Sequence, residues 1–417
     1  MDRLRLFIAS CALLVSPIYI WESGLPQVAH FLMLPAIITL GWARAQQWPD
    51  AFRYAIAFAL YAACVNVVVY TIFRDLRTLY AAFYYPFNVL SWLVFASLAR
   101  GAWHGPFLKW LPILLWLCLG TQAFIVGTGF FSKEEASRPT GTFNDPNQLA
   151  HWTLWMGTLL CINSVYLRRS IWNGCAAACV VGYVVLLCGS RSGLLGFIVL
   201  LLGLAMVLMK PHEEKRVVSF IYSRLLLLTC ASVAILLLKD DLKRLMSEHE
   251  WNALDRLLLT EWAFELEARG YDRLIKFPEH LLLGAGEGAE ERWMMHSWFL
   301  GEIHSTPAGL LFSYGLPGTV LFGMFWVTHW RQVPGAGLKL VALAPWAYSI
   351  GTYNLRNWMV WVGLALLHVM LSSRPNGTQR SQQIAPAATR PCSSKLRTWP
   401  TRKAYPTGVN LRRSSGQ

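Results

Sequence analysis

Charged residues are scarce in this chain of 417 residues, where Asp, Glu, Lys and Arg make up 14% and hydrophobic residues 55%. Soluble domains carry about 25% charged residues, so the composition argues against a water-soluble enzyme. A largely disordered chain is excluded as well, because disorder requires low hydrophobicity. None of the long apolar runs holds Asp, Glu, Lys or Arg near its middle. Ion-coupled transporters and proton pumps usually need such residues inside the membrane, so this absence argues against transport.

Patterns that bind metals or nucleotides are also missing. The nine cysteines have no metal-ligand spacing, and the outer loops hold neither Asp-x-Asp nor a His/Cys cluster. The glycine-rich run 284–288 lacks the preceding strand of a dinucleotide-binding fingerprint. We therefore expect no metal, no cofactor and no nucleic-acid partner.

The apolar residues that replace the missing charge form runs long enough to cross a bilayer, which takes about 20 residues per helix. Trp (20) and Tyr (15) are abundant, as is typical of membrane interfaces. We predict an all-α polytopic membrane protein with about 12 transmembrane helices. The predicted spans are 4–21, 27–43, 52–70, 80–99, 106–130, 149–167, 171–188, 192–209, 221–239, 306–328, 338–352 and 355–372.

The distribution of positive charge predicts the orientation of these spans. Short cytoplasmic loops carry the excess of Lys and Arg, and this places both termini inside the cell. The segment 373–417 holds nine Lys and Arg and no acidic residue. It lacks apolar periodicity, so we predict a basic, disordered cytoplasmic tail that is solvated or touches anionic headgroups.

The connection 240–304 is unlike the others, because it holds 14 of the 23 acidic residues as well as seven Lys and Arg. We place it outside the cell, between transmembrane helices in 1–239 and in 305–372. Its residues 242–269 have apolar side chains at helical spacing, which indicates an amphipathic helix. Pro278 and the glycines of 284–288 then break the helix. Long loops are usually functional, so we expect this partly helical loop to cap a cavity at the outer face.

Arginines at the predicted outer surface are candidates for phosphate binding, because a guanidinium binds phosphate bidentately and keeps its charge. Arg191 lies in the tight turn 189–193, where small neighbours leave room for a ligand. Arg269 and Arg273 are four residues apart and share a face if the chain is helical there; Arg256 is a weaker candidate. The structural alternatives are a snorkelling arginine at residue 191 and salt bridges to nearby acids for the others.

His304 lies where the long loop meets the membrane, and a histidine there can accept a proton from an attacking hydroxyl. Glu302 could orient it, and His280 and His296 are alternatives. A second polar outer loop, 138–148, could bind sugar hydroxyls, although turn formation explains its composition equally well. Further candidates for sugar or lipid-phosphate contacts are Arg74, Arg77, Arg138, Asn144, Asp145 and Asn147.

Taken in order, these groups resemble the O-antigen ligase and polymerase superfamily of bacterial envelope enzymes. The similarity is carried by Gly189-Ser190-Arg191-Ser192-Gly193, by Pro278 with Leu283-Gly284-Ala285-Gly286, by His304-Ser305, and by Tyr314-Gly315-Leu316-Pro317-Gly318. The motifs cover roughly residues 140–330, and the topology resembles the family over the whole chain. Each motif is weak by itself, and the resemblance depends on their order and their placement.

The resemblance implies a metal- and nucleotide-independent glycosyl transfer at the periplasmic face of the bacterial inner membrane. The donor would be a glycan on undecaprenyl pyrophosphate. The acceptor would be a lipid A–core sugar hydroxyl for a ligase, or a second lipid-linked glycan for a polymerase. His304 would be the general base, and Arg191 would bind pyrophosphate together with Arg269, Arg273 or Arg256. Ser305 and Tyr314 would be substrate-binding positions. A lipid-linked glycan flippase and a non-catalytic scaffold are the alternatives, and protein partners stay open.

Overall fold

The computed structural model describes residues 2–21, 25–40, 49–100, 103–130, 138–168, 170–208, 269–293 and 301–372. All longer regular elements in these ranges are α-helices. They are α1 (Asp2–Val15), α2 (Val28–Ile38), α3 (Ala51–Phe73), α4 (Leu76–Ser97), α5 (His104–Thr128), α6 (Pro146–Ile162), α7 (Ile171–Leu187), α8 (Arg191–Leu208), α9 (Arg273–Lys276), α10 (His280–Leu283), α11 (Thr306–Trp330), α12 (Ala336–Tyr348) and α13 (Trp358–Leu371).

Five of the described helices are long and apolar enough to cross a membrane: α3, α4, α5, α8 and α11. The chain is therefore an α-helical membrane protein, as its composition predicted. Every predicted span that falls on described residues overlaps a helix, but α1, α2, α6, α7, α12 and α13 are each shorter than 18 residues. The count of twelve spans stays a prediction. The span 221–239, the amphipathic helix 242–269 (apart from Arg269) and the tail 373–417 lie outside the described residues.

Close helix packing in the bundle depends on small residues. Helices α8 and α12 approach so closely that a Cβ atom on Gly203 would lie 2.5 Å from the backbone nitrogen of Val341. A Cβ atom on Gly196, which lies earlier in α8, would in the same way meet the backbone carbonyl oxygen of Ala344. Helix α13 is buried along its whole length. A helix that is apolar on every side is typical of the centre of a membrane bundle.

Helix α11 is interrupted at Gly315, whose backbone (φ 58°, ψ −167°) is non-helical. Pro317 has no N–H group, so the carbonyl of Ser313 lacks its usual helical donor. The carbonyls of Phe312 and Ser313 instead accept hydrogen bonds of 2.8 Å from the backbone N–H groups of Ala285 and Gly286. The long connection is thus attached to the bundle through the break in α11.

Several connections lie together on one side of the bundle, which we call the loop face. It comprises the α3–α4 turn, residues 138–148, the α7–α8 turn, residues 269–293, residues 301–305 and residues 349–357. Direct contacts join them: Ser190 donates to Asn147 at 2.9 Å, and the backbone of Thr306 donates to Ser349 at 2.8 Å. These same connections are predicted from the sequence to lie outside the cell.

Candidate functional site on the loop face

His304 lies at a junction of three chain segments. Its backbone N–H donates to the carbonyl of Arg269 at 3.0 Å. The hydroxyl of Tyr271 reaches the carbonyls of both His304 (3.3 Å) and Ile350 (3.2 Å). Ser305 follows directly and caps α11, accepting from the backbone of Ala308 at 3.4 Å. These contacts fix the backbone around the histidine and leave its ring on the exposed side of the junction.

The environment of His304 favours a neutral imidazole. Partial desolvation lowers its pKa below the ordinary histidine value, and the positive charge of Arg269 lowers the pKa further. Asp145 acts in the opposite direction. A neutral imidazole has a free nitrogen lone pair, so the junction supplies a group that can accept a proton.

The turn between α7 and α8 brings more positive charge to this corner. Gly189 has a positive φ of 57°, and Arg191 is the first residue of α8. Ser190 is buried and accepts from the backbone of Gly193 at 3.2 Å. Arg138 donates to the carbonyl of Cys188 at 3.3 Å and to that of Gly189 at 3.4 Å. Two arginines therefore meet at one turn.

Gly351 connects this turn to the His304 junction. A Cβ atom at Gly351 would lie 2.5 Å from Ser192 Oγ and 4.0 Å from Arg269 Nη1. The hydroxyl of Thr352 also donates to Ser192 Oγ at 3.3 Å. The guanidinium of Arg269 and the start of α8 thus both lie close to Gly351. We call Arg138, Arg191, Arg269 and His304 the cationic corner.

The structure separates Arg269 from Arg273, although the sequence allowed one helical face for both. Gly270 has a φ of 74°, and α9 begins only at Arg273, so no helix is shared. Arg273 turns away and is buried, with its guanidinium 5.9 Å from the ring centre of Trp293. Burial lowers its pKa. Of the long-loop candidates, Arg269 accompanies His304, and Arg256 lies outside the described residues.

Several polar groups of the loop 138–148 are engaged by contacts within the protein, both inside the loop and with neighbouring connections. Asn144 donates to the carbonyl of Trp21 at 2.6 Å. Asp145 caps α6 by accepting from the backbone of Asn147 at 2.6 Å, and the side chain of Asn147 accepts from Ser190. These contacts support the turn-forming role that the sequence left as an alternative to sugar binding.

Three further predicted residues have clear structural placements. Arg77 forms an ion pair with Glu291 at 2.8 Å on the surface. Arg74 ends α3 in a left-handed conformation and lies 5.9 Å from the ring centre of Tyr70. Tyr314 is fully buried and its hydroxyl accepts from Asn66 at 3.0 Å. Because Tyr314 has no exposed surface, its hydrogen bond to Asn66 holds the broken helix α11 against α3.

A network around Glu287 was not foreseen from the sequence. The Glu287 side chain is only 3% exposed, and one carboxylate oxygen accepts from the hydroxyls of Tyr85 and Tyr353. Its other oxygen lies 3.2 Å from Arg356 Nε. Arg356 also pairs with Glu302, which the sequence analysis had assigned to His304. The available signal was the polar pair Asn66 and Tyr85 inside otherwise apolar spans.

A cleft lies beside the cationic corner and differs from it in charge. It holds about 350 Å³ of space outside protein atoms, its open mouth included. Glu302 and Ile303 line it, and they directly precede His304. Its other polar and aromatic walls include Arg273, Glu287, Glu290, Trp293 and Tyr353. We call it the acidic cleft.

The fold and the site together define an α-helical membrane protein with a cationic corner next to an acidic cleft on one face. No protein-family model matches the chain, and no curated protein matches it. The function is therefore inferred from the residues of the site.

Proposed function

We propose that the protein is a membrane glycosyltransferase of the O-antigen ligase type. It would move a glycan from undecaprenyl pyrophosphate to a sugar hydroxyl of lipid A–core at the periplasmic face of the bacterial inner membrane. The observation that carries the proposal is the meeting of Arg269 with His304 beside the turn that holds Arg191. The family resemblance implies a site with one histidine, one arginine from a tight turn and one arginine from the long loop.

The proposed step is a single displacement. The acceptor hydroxyl oxygen attacks the anomeric carbon, and the bond from that carbon to the phosphate oxygen breaks. The electron pair leaves with the pyrophosphate, and the hydroxyl proton passes to His304. Positive charge from Arg191 and Arg269 stabilises the negative charge that develops on the leaving group. Attack opposite the leaving group inverts the anomeric carbon.

The acidic cleft is proposed to hold the acceptor sugar. The lining holds the carboxylates of Glu287, Glu290 and Glu302 against the guanidinium of Arg273, and this excess of negative charge disfavours an anionic pyrophosphate. Glu287 and Glu302 already pair with Arg356, so Glu290 is the carboxylate proposed to accept from a sugar hydroxyl. Aromatic walls such as Trp293 suit the apolar face of a sugar ring. Donor and acceptor would thus occupy neighbouring sites of opposite charge, on either side of the segment that carries His304.

Reconstitution tests the transfer. Purified protein in lipid vesicles receives undecaprenyl-pyrophosphate glycan and lipid A–core, and the products are separated by gel electrophoresis. We expect glycan on lipid A–core with wild type and none with His304→Ala. His104→Ala is the matched control, because His104 contacts the carbonyl of Val369 at the far end of the bundle. Equal transfer by His304→Ala contradicts the mechanism, and elongated lipid-linked glycan identifies a polymerase.

Steady-state kinetics test the acceptor assignment. Glu290→Gln removes a cleft carboxylate, and loss of one charged hydrogen bond of roughly 1.5 kcal/mol corresponds to about a tenfold higher acceptor KM. The donor KM should stay unchanged. Glu291→Gln is the neighbouring control, because Glu291 pairs with Arg77 on the surface. A larger effect on the donor KM than on the acceptor KM would contradict the assignment.

A further inference from the structure

The segment 277–288 runs alongside α3. The carbonyl of Leu283 accepts from the hydroxyl of Tyr61 at 2.7 Å, and the backbone of Glu287 donates to Asn66 at 2.8 Å. Gly288 lies against the backbone of Thr78 at the start of α4. The chain therefore climbs along α3 from its middle to its end on the loop face.

These contacts give the depth of the segment. At about 1.5 Å per residue, Tyr61 lies roughly 18 Å along α3 from Phe73, and Asn66 roughly 10 Å. Gly315, which contacts the carbonyl of Leu282, lies roughly 13 Å along α11 from its first residue. Both helices are long and apolar enough to cross a membrane. Since the hydrocarbon core is about 30 Å thick, Leu282 and Leu283 lie at its depth.

The tip of the segment is apolar and uncovered among the described residues. Leu282 is 65% exposed and Leu283 is 64% exposed. Neighbouring side chains at the same level are also exposed, namely Leu60 of α3 and Leu316 of α11. The leucines of α10 therefore extend the apolar outer surface of two membrane-length helices. An apolar surface of this kind at this depth is suited to lipid chains.

The backbone polar groups of residues 284–286 have partners in protein. Irregular backbone at this depth is tolerated only where protein provides such partners. Ala285 and Gly286 donate to the carbonyls freed by the break in α11, and Gly284 donates to the carbonyl of His280 at 2.8 Å. The segment holds two carboxylates. Glu287 is paired with Arg356 and two tyrosine hydroxyls, whereas Glu279, just before α10, is 63% exposed and lies 3.9 Å from His280 Nε2. Arg292 donates to the carbonyls of both Ala285 and Gly286.

We propose that residues 277–288 form a re-entrant segment that enters the membrane from the loop face and leaves on the same side. Leu282 and Leu283 at its tip contact the acyl chains of the surrounding bilayer. The acyl chains are the occupant because the leucines share the depth and the outer surface of α3 and α11. This inference revises the expectation that the whole connection 240–304 lies outside the membrane, and it does not depend on glycosyl transfer.

Photo-crosslinking in phosphatidylcholine vesicles tests the proposal with the full chain. A benzophenone side chain is introduced as Leu283→p-benzoylphenylalanine, and the irradiated protein is weighed by mass spectrometry. We expect a mass increase of one phosphatidylcholine. Leu60→p-benzoylphenylalanine, on α3, should give the same adduct. Glu291→p-benzoylphenylalanine, on the ion-paired surface, should give none.

Leu282→p-benzoylphenylalanine provides a second position at the tip, in case one substitution disturbs the fold. A lipid adduct at either tip position supports the proposal. Lipid adducts at position 60 with none at 282 or 283 would overturn it. A crosslink from 283 to another part of the chain or to a second copy would also overturn it, since protein would then cover the leucines.

Discussion

Removing the buried carboxylate of Glu287 should destabilise the protein far more than removing its surface neighbour Glu291. Glu287 is 3% exposed and joins Arg356 with Tyr85 and Tyr353. Glu287→Ala leaves Arg356 half-buried with Glu302 as its remaining acidic partner. Breaking a buried ion pair by removing one partner costs about 3–5 kcal/mol. We expect the lower end of that range, because Glu302 still balances the arginine.

Glu287→Gln keeps the shape of the side chain and one oxygen acceptor for the tyrosines. It should cost less, about 1–3 kcal/mol, the usual range for an imperfectly paired buried group. Glu291→Gln makes the same chemical change four residues later. Its side chain is 59% exposed and pairs with Arg77. Exposed ion pairs contribute little to stability, so this control should unfold like wild type.

Thermal unfolding in detergent measures these differences. Cys118, Cys161 and Cys188 are buried and free, so a thiol-reactive fluorophore reports their exposure as the bundle opens. We expect Tm to fall on the order of 5 °C for Glu287→Ala, with Glu287→Gln in between. Equal melting of Glu287→Ala and Glu291→Gln would refute the assignment of the network as a buried, stabilising one.

Three further predictions follow from single contacts. Arg269→Gln removes a positive charge that lowers the pKa of His304, so this pKa should rise towards the ordinary histidine value and protonation should begin at higher pH. NMR titration of the His304 ring checks this prediction. Arg273→Gln is the control and should leave the pKa of His304 unchanged. Gly315→Ala should lower the free energy of unfolding by about 1–3 kcal/mol from its backbone conformation alone. The loss should be larger because the new Cβ atom would lie 2.5 Å from the carbonyl oxygen of Leu282. Gly323→Ala in the same helix has open space around it and should leave Tm almost unchanged. Gly203→Ala should push α8 away from the backbone of α12 and lower Tm. Gly120→Ala is the control, because its new Cβ atom would have nothing within 4 Å, and it should not lower Tm. Equal Tm values for the two variants would contradict the close contact between α8 and α12.

Apolar runs of membrane-crossing length predicted the positions of the described helices, because a membrane helix is specified by its own composition. The predicted span 306–328 begins at the first residue of α11, where the structure shows Ser305 as the N-cap. The ends of α1, α2 and α12 were not predicted, because the spans 4–21, 27–43 and 338–352 ran past the structural helices. Hydropathy alone does not distinguish a helical turn from an apolar loop.

The site was harder to predict, because it depends on contacts between distant parts of the chain. Sequence spacing placed Arg269 and Arg273 together, whereas the turn at Gly270 sends them to different sites. The predicted spans hold no charged residue near their middle. Glu287 lies in a connection and not in a span, and this connection brings its carboxylate to Asn66 and Tyr85. Asn66 and Tyr85 are visible as polar residues in apolar spans, but nothing near them in the sequence identifies a partner more than 200 positions away.

The break in α11 has a consequence for how this protein can vary between species. The hydrogen bonds from Ala285 and Gly286 to α11 involve main-chain atoms only. Such bonds are indifferent to side-chain identity, so the exposed residues Leu282 and Leu283 are free to vary among apolar types. Gly284 and Gly315 are not, because a Cβ atom at Gly284 would meet the backbone of Ser313 and Tyr314, and one at Gly315 would meet the backbone of Leu282 and Gly284. Natural variation should therefore spare this glycine pair, and a change at either position should be tolerated only with a shift of the whole crossing.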